Sequence, residues 1–99
     1  MKIIEFNNTI FYIGQNTSEN DHLFKTMPNN AIWFHLDSQS SSHVYCVSNT
    51  KLTKIEIKKG AELVKIWSKK TDKVIYIKKC KLKRIGPGLL ELLECPKYV

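Results

Sequence analysis

Two short apolar segments that flank a serine-rich loop constrain the fold of this chain more than any other feature. The first, AIWFHLD, spans residues 31–37, and the second, SHVYCV, spans residues 42–47. Both are rich in aromatic and β-branched residues, and the polar run between them is typical of a loop. In a strand, Trp33 and Phe34 point to opposite faces. Because both rings need cover, we predict a central strand beside a second strand.

The residues before this pair predict a hairpin and a helix. Residues 2–13 alternate as two short strands around Asn7-Asn8, a turn sequence that tolerates positive φ. Asn16 then has the character of a helix N-cap, with Glu19 as its capping-box partner. We predict a helix over residues 17–26.

The segment from Leu52 to Lys70 is ambiguous, because it starts as an alternating strand pattern and continues as a helical one. An apolar helical stripe runs through Ile57, Gly60, Ala61, Val64 and Trp67. We predict a helix because this stripe is longer than the alternation, and we expect a close approach to the sheet at Gly60. Lys58, Lys65 and Lys69 share another face with Glu62, which favours a solvated surface.

The last third of the chain predicts strands. Residues 74–85 have the character of one long strand, continuous or broken, and residues 89–94 that of a final strand or a single helical turn. Residues 95–99 are predicted to be a tail. The fold class is α+β, a single domain over residues 1–99 with a largely antiparallel sheet of about six strands, two helices and the order ββαββαββ.

Charge is the most informative bulk property. The net charge is +7, but residues 1–50 hold two lysines against four acidic residues, whereas residues 51–99 hold fourteen basic against five acidic residues. A basic half on a small fold indicates a polyanion ligand such as nucleic acid. The alternative is a lysine-rich surface without a partner.

A column of lysines gives this charge a predicted location. On an extended strand Lys79, Lys81 and Lys83 lie on one face, spaced by about 6.6–7 Å, with Lys78 and Arg84 nearby. Such ammonium groups suit the phosphates of a nucleic-acid strand. The alternative is an edge strand that lysines protect against aggregation.

Polar residues on the two central segments form a second candidate site. His35, Ser42 and His43 are predicted to meet at one sheet edge, where they would contact a phosphate or a base, or simply bond into the turn. Trp67 and Tyr76 could stack on bases, but Trp67 lies on the apolar helix stripe and is more consistent with the core.

No chemistry beyond binding is indicated by the sequence. The three cysteines are widely spaced and match neither a zinc motif nor a disulfide framework, and no catalytic or cofactor motif is present. We therefore expect a non-catalytic protein without cofactor or metal. We also expect it to be cytoplasmic, in a reducing compartment, and not associated with a membrane, because no apolar run approaches the length of a membrane helix.

Several blocks of the chain resemble one family in their order. They are Ile13-Gly14-Gln15-Asn16, Ile32-Trp33-Phe34-His35, Ser41–Tyr45 and, later, Pro87-Gly88-Leu89. In this order they resemble the NFACT-R domain of the nuclear export mediator factor and fibronectin-binding-protein family. Gln15 and Ala31 depart from its pattern, which usually has a basic and an acidic residue there.

The resemblance implies an RNA-binding module, whose large relatives act in ribosome quality control on the large subunit with peptidyl-tRNA. Our leading hypothesis is a non-catalytic protein that binds RNA, either rRNA or tRNA, through the lysines of residues 78–84. DNA binding, and a protein-interaction module that docks on a ribosome-associated partner through strand edges, remain alternatives. An enzyme would need a pocket joining His35, Asp37 and His43.

Overall fold

The fold is a six-stranded antiparallel sheet with one helix on each face. The structure, a computed structural model, describes residues 1–99. The helices are α1 (Thr17–Thr26) and α2 (Lys54–Ser68). The strands are β1 (Lys2–Phe6), β2 (Thr9–Gly14), β3 (Ile32–Leu36), β4 (His43–Val47), β5 (Val74–Lys78), β6 (Leu82–Gly86), β7 (Leu89–Leu92) and β8 (Lys97–Tyr98). The main sheet has the order β1-β2-β4-β3-β5-β8, and β6 and β7 form a separate two-stranded sheet. The predicted α+β class is confirmed.

The central position predicted for the Trp33–Phe34 strand is confirmed. β3 and β4 are the two middle strands, and their rings divide the core in two. Phe34 is fully buried among α2 and the strand residues of one face, whereas Trp33 packs with Leu23 of α1 on the other face. Both faces of the sheet are therefore covered, as a strand with two bulky rings requires.

Local signals define both helices. The Asn16 side chain accepts a hydrogen bond from the Glu19 N–H at 2.9 Å, which caps α1. The Glu19 carboxylate bonds instead to the Gln15 N–H and to the amino terminus. α2 begins at a capping box between Thr53 and Glu56, and its predicted stripe faces the sheet.

The long predicted strand is broken. Residues 79–81 form a 3₁₀ turn, in which the Lys79 and Cys80 N–H groups donate to the carbonyls of Ala31 and Asn29. The chain then leaves the main sheet and forms the hairpin of β6 and β7 on the α1 face. The predicted tail contains β8, which pairs with β5 through Ile75 and Tyr76. Neither helix is both long and apolar enough to cross a membrane.

Candidate nucleic-acid interface

The predicted column of lysines does not form, because the strand that would carry it is interrupted. Lys79 is only 9 % exposed. Its Nζ donates to the Met27 carbonyl at 2.5 Å and lies 4.9 Å from the centre of the Phe24 ring. Lys79 therefore joins the turn to the end of α1 instead of facing solvent.

Two of its neighbours are engaged by carboxylates. Arg84 donates to Asp21 of α1 from Nε at 2.6 Å and from its terminal nitrogen at 3.2 Å. This hydrogen bonding holds the pKa of the Asp21 carboxyl well below its usual range. Lys81 Nζ lies 3.8 Å from Glu94, across an exposed surface.

Two lysines of the predicted set remain exposed without an ion pair. Lys78 ends β5, and Lys83 lies opposite Glu91 in the register of the hairpin. The five basic side chains are thus distributed over a sheet edge, a turn and a hairpin. The prediction that Lys79, Lys81 and Lys83 share one strand face is wrong, because residues 79–81 form a turn.

The exposed face of α2 carries more free positive charge than the sequence indicates. Its stripe of lysines, here called the α2 stripe, consists of Lys54, Lys58, Lys65 and Lys69, all exposed. From Lys54 to Lys69, the C-cap of α2, it spans sixteen residues, a rise of about 22 Å. Glu62, the one acidic residue on this face, bonds to Lys59 at 3.6 Å, outside the stripe. No lysine of the stripe lies within ion-pair distance of a carboxylate.

His35, Ser42 and His43 come together as the sequence predicts. They line a groove of about 740 Å³ at the end of the sheet where β3 stops and β4 starts. The start of α1, the serine-rich loop, the end of α2 and the tip of the β6–β7 hairpin complete its walls. The Ser42 N–H donates to Ser68 Oγ at 2.8 Å, which attaches the loop to α2.

The two histidines of the groove have defined proton positions. The Nε1–H of Trp33 donates to His43 Nδ1 at 3.2 Å, so His43 carries its own proton on Nε2. His35 Nδ1 lies 2.6 Å from the Leu36 carbonyl, which only accepts, so this nitrogen carries the proton. Burial lowers the pKa of His43 to about 3 and also lowers the pKa of His35. Both rings are therefore neutral at pH 7.

The aromatic rings around these histidines hold them in place. Trp33 and His35 stack with ring centres 5.0 Å apart, and His35 meets His43 edge to face at 4.9 Å. Both histidines share a sheet face with Trp33, because side chains two residues apart on a strand point the same way. His35 is two residues from Trp33 on β3, and His43 is two residues from Tyr45, which lies opposite Trp33 on β4. No group of three or more His, Cys, Asp or Glu side chains is placed to hold a metal ion.

Comparison with known proteins identifies the family. The model of the NFACT protein RNA binding domain matches residues 2–91. The chain belongs to this family. Membership of the NFACT-R family supports RNA as a ligand in general terms, and the family is defined by RNA binding rather than by catalysis. A search of curated proteins gave no match.

A solved structure supports the same conclusion. The NFACT-R domain described here is similar to the C-terminal part of the fibronectin/fibrinogen-binding protein from Streptococcus suis, with a TM-score of 0.80 and 29 % sequence identity. The similarity covers 92 % of this chain and 39 % of that chain. The chain therefore spans well under half of that solved chain.

Asn20 belongs to the groove of this NFACT-R domain, although the sequence analysis did not select it. It lies on α1, is 9 % exposed and lines the groove. Its Oδ1 is buried without a hydrogen-bond partner and lies against Gly14, where an added Cβ would approach it to 2.2 Å. The signal in the sequence is an asparagine inside a predicted helix, where asparagine has a low helix propensity. It lies six residues after Gly14.

Proposed function

We propose that this NFACT-R domain is a non-catalytic RNA-binding module that contacts phosphates through exposed lysines. The observation that carries the proposal is the family match over residues 2–91. Within that class, the resemblance supports rRNA or tRNA as the ligand, ribosome quality control as the setting and the cytoplasm as the location. The large ribosomal subunit is the corresponding partner.

The charge distribution supports the α2 stripe as the main phosphate contact. Its four lysines are exposed and have no carboxylate within ion-pair distance. Lys54, Lys58 and Lys65 lie on one face of α2, and Lys69 is the C-cap that follows it. Lys78, Lys81 and Lys83 form a second, weaker surface on the other side of the strand break. Lys79 and Arg84 act through the fold, since one bonds to Met27 and the other to Asp21.

A charge-matched comparison tests this assignment. One variant carries Lys58→Gln, Lys65→Gln and Lys69→Gln, and its control carries Lys25→Gln, Lys73→Gln and Lys97→Gln, three exposed lysines on other elements. Both lose three charges. For a single-stranded RNA the slope of log K against log salt is negative, and each lost phosphate contact reduces its magnitude by about 0.7. The magnitude of the slope should therefore fall by about 2 for the first variant and by much less for the control.

Three results would contradict the proposal at different points. Equal losses in the two variants would mean that net charge acts without a defined surface. A larger loss for Lys78→Gln, Lys81→Gln and Lys83→Gln would move the contact to the β6 side. Absence of RNA binding by the unmodified domain would refute the function itself. DNA of the same sequence, measured in parallel, separates the two nucleic acids through the 2′-hydroxyl.

A further inference from the structure

We propose that the groove lined by Asn20, His35 and His43 binds an unpaired nucleobase, while the α2 stripe holds the neighbouring phosphates. The inference rests on the proposed RNA binding and specifies which part of an RNA enters the fold. In an RNA helix the bases are stacked and paired, so a site of this kind selects single-stranded segments or ends.

The charge of the groove excludes a phosphate as its main occupant. Asp37 and Lys70 are the charged residues among those that line it, and their charges are opposite. Lys70 Nζ also donates to the Ser40 carbonyl at 2.6 Å. A phosphate site needs an excess of positive charge or several convergent N–H groups, and the first turn of α1 already carries the Glu19 carboxylate. A neutral ligand fits this wall better than an anion does.

The histidines present a donor and an acceptor side by side. With Nδ1 engaged in each ring, His43 has an N–H at Nε2 and His35 has a lone pair at Nε2. Neither Nε2 has a partner within the chain, and neither is among the two fully buried polar atoms that lack one. Both therefore reach solvent, and the groove they line provides the opening. Adjacent donors and acceptors are also what the edge of a nucleobase presents.

Asn20 supplies an independent indication of a ligand. The residue is 9 % exposed and lines the groove, and its Oδ1, which lies against Gly14, is buried without a hydrogen-bond partner. A buried amide oxygen without a partner is rare in a folded protein, because it loses its bonds to water without replacement. Rotation of this amide by half a turn presents either its oxygen or its NH₂ group to the groove. Asn20 can therefore accept a hydrogen bond from a base or donate one to it.

The groove and the α2 stripe are continuous along the chain. Trp67, Ser68 and Lys70, at and just beyond the end of α2, line the groove, and Lys69 of the stripe lies between Ser68 and Lys70 in the sequence without lining it. Trp67 is partly buried against the core, and Lys2 Nζ lies over its ring at 5.5 Å from the centre, which adds a positive charge beside this wall of the groove. A strand whose phosphates follow α2 thus reaches the groove with its next base.

Nuclear magnetic resonance titration with uncharged nucleosides tests the base site alone, because nucleosides carry no phosphate that could bind the lysines. The probes are adenosine, cytidine, guanosine and uridine, with ribose 5-phosphate and inorganic phosphate as controls. We expect nucleosides to shift the Asn20 side-chain amide and the Trp33 indole N–H, which is bonded to His43. The phosphate controls should leave both signals in place. Equal shifts with phosphate alone, or no shift with any nucleoside, would overturn the proposal.

Variants then connect the groove to RNA. Asn20→Ala removes the side-chain amide, and His35→Phe removes Nε2 together with the Nδ1–H bond to the Leu36 carbonyl. Each should weaken the binding of a single-stranded oligoribonucleotide at least tenfold. Ser40→Trp, at an exposed position of the loop, fills the groove without altering the core and should do the same. The affinity of the same variants for a blunt RNA duplex of equal charge should change less than twofold. Equal losses for duplex and single strand would overturn base recognition.

The two proposals fail in different ways. If RNA binds through the α2 stripe while nucleosides leave the groove unchanged, the base site is refuted and the proposed function stands. If nucleosides bind the groove while RNA does not bind the domain, the proposed function is refuted and the groove remains a nucleoside site.

Discussion

Gly60 shows how one residue sets the distance between α2 and the sheet. A Cβ at this position would lie 2.5 Å from the Phe34 ring, which is fully buried in the core. The ring is held by the strand below it and by Tyr76, with which it stacks at 5.7 Å. The close approach expected from the sequence is therefore present, and glycine is required by packing rather than by a turn.

We predict that Gly60→Ala destabilises the domain, although alanine is the better helix former by about 1 kcal/mol. Overpacking of a filled core costs about 1–3 kcal/mol, which exceeds that gain. Urea unfolding measures the change, with Lys58→Ala on the solvent face as a control expected to lie within about 0.5 kcal/mol of the unmodified protein. An increase in stability for Gly60→Ala would mean that α2 can move away from Phe34 without loss.

His43 makes stability depend on pH. Its pKa falls from 6.5 to about 3 on folding, because burial disfavours the charged ring. The unfolded chain therefore binds more protons than the folded one between these values, so stability is complete above pH 6.5 and decreases as the pH falls. The decrease approaches about 1.4 kcal/mol per pH unit for one such group, or about 2 kcal/mol at pH 5.

We predict that His43→Gln removes much of this slope between pH 6.5 and 4.5, because glutamine keeps an acceptor for Trp33 but does not titrate. Chemical unfolding at a series of pH values gives the measurement. His35 contributes in the same direction, since its pKa is also lowered, and leaves a residual slope. His22→Gln, at an exposed position, is the control. An unchanged slope in His43→Gln would assign the acid sensitivity to other groups.

Among the elements, the β6–β7 hairpin depends on a single residue for its position. Asp21 of α1 accepts two hydrogen bonds from Arg84 and one from the Gly88 N–H at 3.2 Å. Leu82 and Leu90 pack beneath the hairpin, but Leu89 and Leu93 on its other side are exposed. The polar contact therefore orients an element that has only a small share of the core.

We predict that Asp21→Asn loosens the hairpin without unfolding the sheet, because it removes the charge that Arg84 and Gly88 share. Hydrogen exchange should become faster for the amides of residues 82–92, while β3 and β4 keep their protection. Lys25→Gln, which removes the other ion pair of Asp21, is the matched control and should have little effect. Uniformly faster exchange across the chain would show that Asp21 supports the whole fold.

The elements that the sequence predicts well are those specified locally. α1 begins and ends where its cap and apolar pattern place it, and both turn residues Asn7 and Asn8 have positive φ. The break at residues 79–81 was left open by the sequence, because it depends on carbonyls of Ala31 and Asn29 that are distant in the chain. β8 was missed because two residues carry too short a pattern to indicate a strand.

For the whole molecule, the location of the charge matters more than its amount. The excess of positive charge lies in the second half of the chain, and the sequence analysis assigned it to residues 78–84 on the assumption that residues 79–83 are extended. The fold instead buries Lys79, joins Arg84 to α1 and leaves the α2 stripe free. His35, Ser42 and His43 lie close together because β3 and β4 are adjacent antiparallel strands joined by a short loop. Their role in binding stays a prediction.

We predict that the α2 stripe controls how fast RNA associates. The triple change Lys58→Gln, Lys65→Gln and Lys69→Gln should leave stability within about 0.5 kcal/mol, because all three are exposed. The association rate should fall at low salt and approach that of the unmodified domain at high salt, where charges are screened. Stopped-flow fluorescence at two ionic strengths measures both rates. A change confined to the dissociation rate would contradict long-range steering.

The break between β5 and β6 also affects how this domain behaves beside other copies of itself. Once the chain turns away, the outer backbone groups of β5 have no neighbour until β8 pairs with Ile75 and Tyr76. The remaining rungs, at Ile77 and Lys78, stay open, and Lys78 places a cation where another strand would have to add. The charge of Lys78 therefore disfavours the addition of a further strand at these two positions.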